Sequence, residues 1–250
     1  MSAPTFLVSP ELLGGVQVGS QVHLPETVAH HMKVARIAVG EEVHLVDGQG
    51  TRVSGSCAPN DCFDIAAVTH ESLPRLRITV AQALIKGDRL ERAVEMMTEV
   101  GATAFIPWAA DHSVVKWAPD KASRNRLKWV NLVQAASEQS RRSFVPAIES
   151  PVNSKELFSR FSDFDQVILL EETQGAGLTQ NPSGSVLIVV GPEGGLSNAE
   201  RELFKTADNC VQLTVGNSVL RSATAGVVVM SHLFTRSGEW DSRPDSNVER

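Results

Sequence analysis

The chain has only three cysteines, Cys57, Cys62 and Cys210, too few and too odd in number for a disulfide framework. Cys57 and Cys62 lie close together, but no second Cys/His pair stands near them to complete a four-ligand structural zinc site. Ordinary reduced thiols are expected, and no metal. No apolar run approaches the length that crosses a bilayer, so no membrane association is expected. The opening MSAPTFLVSPELLGG lacks the basic start and long apolar stretch of a secretion signal, and the expected location is cytoplasmic. Internal repeats are absent. So are the two common nucleotide fingerprints: no Lys follows the glycines as a phosphate-binding P-loop requires, and there is no G-x-G-x-x-G.

An excess of positive charge is also missing. The net charge is −6, which by itself does not mark a nucleic-acid binder. The distribution says more. Residues 1–74 carry three Lys/Arg against eight Asp/Glu, whereas residues 116–142 carry seven Lys/Arg against two acids. That basic segment holds Lys116, Lys121, Arg124, Arg126, Lys128, Arg141 and Arg142. It is either a phosphate-facing surface or a solvated helix face.

The apolar share of 42% suits a globular protein of 250 residues with a real core. Residues 1–74 read as short strands with one helix. GVQVGSQVHL, EEVHLVDGQGTRVSGSC and FDIAAVTH alternate and carry turn residues, Asp47-Gly48 being a hairpin-type pair, and PETVAHHMKVARI is helical. A small β-barrel fits, with a boundary at Pro74. Beyond it, the apolar runs LRITVAQAL, AFIPW, QVILLEE, SVLIVVG and CVQLTV alternate with helical stretches, the pattern of an α/β domain with a parallel sheet covered on both faces. Helices are expected over 88–100, with Asp88 and Glu91 as a capping pair, over 120–141, and over 223–234, the last apolar almost all round. Residues 237–250 are polar and aperiodic, and are expected to be disordered.

Three segments carry candidate chemistry. In VLIVVGPEGGLSNAE a buried strand ends in Gly191-Pro192-Glu193-Gly194-Gly195, and Ser197 with Glu200 spells a capping box for the helix that follows. Glycines at the carboxyl edge of a parallel strand let backbone approach a ligand, and that edge is where open α/β sheets bind. In LTVGNSVLRSATAG a second strand ends at Gly216-Asn217, and Arg221 opens the terminal helix as either a structural or an anion-binding residue. In AASEQSRRSFVP, Glu138, Gln139, Arg141 and Arg142 close the basic helix as a capping network or a polar site facing RNA.

Together with LIKGDRLERAVEMMTEVGATAFIPW and RLKWVNLVQ, and in this order, these segments resemble the SPOUT superfamily of RNA methyltransferases. The chain is most similar to the RsmE family, which methylates uracil N3 in 16S ribosomal RNA of the small subunit. The resemblance implies a PUA-like, RNA-binding β-barrel over 1–74 and a SPOUT domain over 75–236 with a C-terminal trefoil knot. It implies S-adenosyl-L-methionine as cofactor, held by Leu170, Glu171, Gly191, Pro192, Glu193, Gly194, Gly195, Leu213, Gly216, Ser218, Val219 and Leu220. It makes Arg221 the residue that orients the uracil or stabilises charge on it, and Glu138 a proton acceptor. Lys86, Arg89, Lys116, Arg124, Lys128, Arg141 and Arg142 become RNA contacts. A homodimer packed through the terminal helix is expected.

The chain departs from the family pattern at Met96, where a Lys is common, at His112, in an Arg-centred stretch, and at Ala223, in place of a Glu. Two other readings compete: a related enzyme acting on transfer RNA or a ribose hydroxyl, and an RNA-binding assembly factor that does not methylate.

Overall fold

The computed structural model describes residues 3–172, 182–241 and 246–249, and it divides into two compact units. The first holds residues 1–73 together with 134–145 and 244–250. Its strands are β1 (Thr5–Leu7), β2 (Gln21–His23), β3 (Glu42–Val46), β4 (Thr51–Ala58) and β5 (Cys62–Glu71), joined in part by helices α1 (Pro10–Leu13) and α2 (Glu26–Val34). The order is β1-β3-β4-β5, with β1 parallel to β3, the remaining pairs antiparallel, and β2 on the first residues of β5. Alternation drives this sheet: Val43, Leu45, Val53, Phe63, Ile65 and Val68 turn inward onto Phe6, Leu13, Leu24 and Met32. Asp47-Gly48 makes the β3–β4 turn. The Asp47 carboxylate accepts the N–H groups of Gln49 and Thr51, and Gly48 sits at φ +75°.

The second unit holds residues 74–133 and 146–243. Its chain runs through β6 (Leu76–Ala83), α3 (Arg89–Val100), β7 (Ala104–Ala109), α4 (Pro119–Gln139, of which residues 134–139 count with the first unit), β8 (Ala147–Ile148), β9 (Val152–Asn153), α5 (Ser154–Ser159), β10 (Gln166–Leu170), β11 (Gly184–Val190), α6 (Asn198–Lys205), β12 (Cys210–Leu213) and α7 (Ser222–Ser237). The sheet order is β12-β10-β11-β6-β7-β8, with β9 also on β7, and every pair is parallel. This is an α/β fold, and its uniformly apolar strands are explained: Ile78 and Val80 on β6, Val167 to Leu169 on β10, and Val186 to Val189 on β11 are fully enclosed. Gly226 on α7 lets that helix lie against Met97 of α3, where a β-carbon would collide with the sulfur.

Three expectations are corrected. The polar C-terminal segment is not wholly without structure. α7 runs to Ser237, Trp240 stacks on Phe234 with ring centroids 5.9 Å apart, and β13 (Ser246–Glu249) pairs antiparallel with the end of β5. The boundary at 74 holds only in part, because residues 134–145 return to the first unit. There Gly50 N–H donates to Ser143 O, Val145 N–H donates to Gly48 O, and the Ser143 hydroxyl donates to Glu71. The basic helix stops at Gln139, not 141, and Arg141 turns left-handed at φ +59°.

Candidate functional site

The carboxyl ends of β10, β11 and β12 converge with the start of α7 around a cavity of about 430 Å³, within the range of small-molecule sites. Its walls include Leu170 and Glu171 after β10, Gly191 to Leu196 after β11, and Leu213, Thr214 and Val215 at and after β12. Ser218, Val219, Leu220 and Arg221 close it before α7. Of the cofactor residues expected from sequence, only Gly216 does not line the cavity.

Each wall is fixed by identifiable bonds. Gly195 N–H donates to Pro192 O at 2.9 Å, and Gly195 adopts φ +66°, so the glycine turn is a tight one that a side chain at 195 would strain. The Ser197–Glu200 capping box forms as read from sequence and starts α6 immediately after the turn. Glu200 is almost fully buried and does more than cap: its carboxylate also accepts Asp111 N–H at 2.8 Å and the Ser154 hydroxyl at 2.6 Å. Glu171 N–H donates to Leu213 O, and the Thr214 hydroxyl donates back to Glu171 O, locking two of the walls together.

Sequence reasoning missed polar residues here, Arg201 and Ser222 among them. Arg201 reaches back from α6 and donates to the Glu171 carboxylate at 2.8 Å, the carboxylate being only 6% exposed. A buried carboxylate needs such a partner, and an Arg one turn into a helix after a glycine loop was the available signal. Ser222, the first residue of α7, donates to Gly191 O at 2.7 Å and accepts from the buried Gln82 amide at 3.0 Å, tying α7 to the glycine turn.

Arg221 is the N-cap residue of α7, exposed, and its guanidinium has no hydrogen-bond or ion-pair partner among the described residues. Glu138 stands elsewhere. It belongs to the first unit, does not line the cavity, and already accepts Leu7 N–H at 2.7 Å, with His31 at 3.9 Å. Arg142 is half-buried, and burial pulls its pKa down to about 10, so it stays cationic at neutral pH. Arg141 is exposed, and its carbonyl accepts from Arg52 at 2.8 Å. Lys86, Arg89, Lys116, Lys121, Arg124, Arg126 and Lys128 are exposed, Arg126 with its Nε donating to Ile148 O at 2.8 Å.

Residues 71–234 match the model of the RNA methyltransferase domain family. The chain belongs to that family. Relatives include the ribosomal RNA small subunit methyltransferase E of Bacillus subtilis, 32% identical over 92% of this chain and 89% of that protein. The protein of the same name from Mycobacterium bovis is 31% identical over 85% of each chain. The methyltransferase also superposes on the crystal structure of ribosomal RNA small subunit methyltransferase E from Neisseria gonorrhoeae bound to S-adenosyl methionine, with a TM-score of 0.80 at 26% identity, covering 94% of this chain and 98% of that one. The cavity fits such a ligand: a sulfonium-bearing nucleoside needs apolar walls for its base and carbon chain, supplied by Leu170, Leu213, Val219 and Leu220, and polar groups for its hydroxyls and amino-acid end, supplied by Glu171, Arg201 and loop backbone.

Proposed function

We propose that this methyltransferase transfers a methyl group from S-adenosylmethionine to N3 of a uridine in 16S ribosomal RNA, acting on the assembled small subunit. The observation that carries the reading is Arg221, without a partner among the described residues, at the rim of a glycine-walled cavity. When bound, S-adenosylmethionine supplies the electrophilic methyl group. The chain's residues do the rest. The loops after β10, β11 and β12 would hold the donor, and transfer needs N3 in line with the methyl–sulfur bond. Arg221 stabilises the negative charge that spreads onto a uracil carbonyl oxygen as the N3 proton leaves to solvent at the exposed rim formed by Glu193 and Gly194.

The strand order β12-β10-β11-β6, with α7 returning onto α3, is consistent with a trefoil knot through the C-terminal part, as in the SPOUT superfamily. The first unit, a six-stranded sheet around its own core, is taken as a PUA-like RNA-binding barrel. α7 is assigned to a homodimer contact, and the cytoplasm, where ribosomes are modified, is the site of action. Among the described residues no helix is long and apolar enough to cross a membrane.

The test is methyl transfer from labelled S-adenosylmethionine to small subunits from cells lacking the gene, followed by nucleoside mass spectrometry. 3-Methyluridine in 16S RNA is expected. A ribose-methylated nucleoside or methylguanine would place the enzyme on another atom, and cofactor binding without transfer would favour an assembly factor.

A further inference from the structure

The loop after β7 does not line the cavity, yet it grips the glycine turn that does. His112 Nδ1 lies 3.1 Å from Gly194 O and 3.1 Å from Gly195 O. Carbonyl oxygens only accept, so the two contacts require the proton on Nδ1, shared between both acceptors. The imidazole sits close against the turn: a β-carbon at Gly194 would lie 3.3 Å from His112 Cβ. The neighbouring Asp111 holds the other end. Its carboxylate accepts the Ser197 hydroxyl at 2.6 Å, and its N–H donates to Glu200 at 2.8 Å. Residues 111 and 112 thus bracket the stretch from Gly194 to the first turn of α6.

This bracket has a consequence for the ligand side. A trans peptide carries its N–H opposite its carbonyl. With Gly195 O held on His112, the Leu196 N–H is fixed on the far side, and Leu196 belongs to the cavity wall. Gly194 O is held in the same way, while the N–H of that peptide, on Gly195, is used within the turn. The Gly194–Gly195 peptide thus has a bond of its own inside the turn, and the Gly195–Leu196 peptide, which no side chain on Gly195 restricts, is the one that depends on an outside partner. His112 is that partner. It is exposed, so it contributes little to the core.

We propose that His112 is a positioning residue for S-adenosylmethionine: its Nδ1–H sets the peptide planes of Gly194 and Gly195 and so shapes the cofactor wall. The inference rests on the cavity being the cofactor site. Calorimetric titration of S-adenosylmethionine and S-adenosylhomocysteine into the wild type and into His112→Ala, His112→Gln and His112→Asn tests it. The asparagine amide nitrogen stands as many bonds from Cα as Nδ1 does, and the glutamine nitrogen stands one further. His112→Ala and His112→Gln are expected to weaken binding about tenfold, and His112→Asn to restore it to within about threefold, with melting temperatures close to the wild type. In turnover the KM for S-adenosylmethionine should rise more than kcat falls. Equal affinity in all four proteins, or an Asn variant as weak as the Ala one, overturns the proposal while leaving the cavity reading intact. Binding by none of the four, the wild type included, would sink the cavity reading and this inference with it.

Discussion

Arg221 is the exposed cation of the site that no described carboxylate neutralises, and its freedom makes a clean test of role. Arg221→Ala should lower kcat by roughly 100-fold, the cost of removing one charge-stabilising donor. S-adenosylmethionine affinity and melting temperature should stay near wild type, because nothing in the fold leans on the side chain. Affinity falling as far as kcat would instead mean that the Arg221 guanidinium acts on the cofactor and not on the uracil. The thiols give a second expectation at this scale. Burial pushes the Cys210 pKa up to about 11, and burial followed by the Glu41 charge raises that of Cys57. The thiolate is the reactive form, so at neutral pH maleimide labelling followed by mass spectrometry should find Cys210 protected in the native protein. The same shift has a sign for stability. Above the ordinary thiol pKa the unfolded chain releases a proton that native Cys210 still holds. Stability is therefore unaffected below about pH 9 and declines between about pH 9 and 11.

At the scale of elements, the start of α6 is the most heavily bonded feature near the cavity. Glu200→Ala leaves the N–H groups of Asp111 and Ser197 and the Ser154 hydroxyl without their acceptor. The expected cost is roughly 3 kcal/mol, seen in calorimetry as a melting temperature lower by about 6–12 °C. Glu200→Gln keeps one carbonyl acceptor and should lose less; a fall below about 2 °C for the alanine variant would contradict this account. The local half of this feature was legible in sequence, since Ser197 and Glu200 spell a capping box. The bonds from Asp111 and Ser154 were not, because they join residues far apart along the chain. The same distinction runs through the fold. The parallel strands and the glycine turn showed through apolar runs and Gly placement. The Asp88–Glu91 pair did not cap α3: Asp88 makes no cap bond and lies 3.6 Å from Arg92 instead. Either use of an exposed Asp is worth little, so local spelling does not decide between them. Glu138 makes the same point: Arg141 and Arg142 follow it in sequence, but its partner, Leu7 N–H, comes from a strand that no local pattern links to it.

At the scale of the whole molecule, charge is divided unevenly, with the exposed cations of residues 116–128 set in an otherwise acidic chain. RNA affinity should fall steeply with salt. Replacing Lys116, Lys121, Arg124 or Lys128 by Ala should lower the slope of log K against log salt by about one unit for each true phosphate contact. Arg126→Ala should lower the slope less, because its Nε is tied to the Ile148 carbonyl and the group is less free to follow a phosphate. Filter binding of small-subunit RNA across a salt series measures both, and a slope change from Arg126 alone would reverse the assignment. Sedimentation equilibrium at micromolar concentration should give about twice the 27.0 kDa chain mass if α7 mediates a dimer.

The first unit is assembled from three stretches of chain, 1–73, 134–145 and 244–250. Its completion is therefore an event in time as well as in space. A ribosome adding roughly 5–20 residues per second needs on the order of 10–30 s between finishing the first stretch and delivering β13. Throughout that interval the end of β5 lacks its β13 neighbour, while the whole second unit is being synthesised. An unpaired strand edge invites pairing with other chains. The nascent protein thus passes through a window of exposure during translation, and its yield in cells depends on how that edge is shielded until the C-terminal strand emerges.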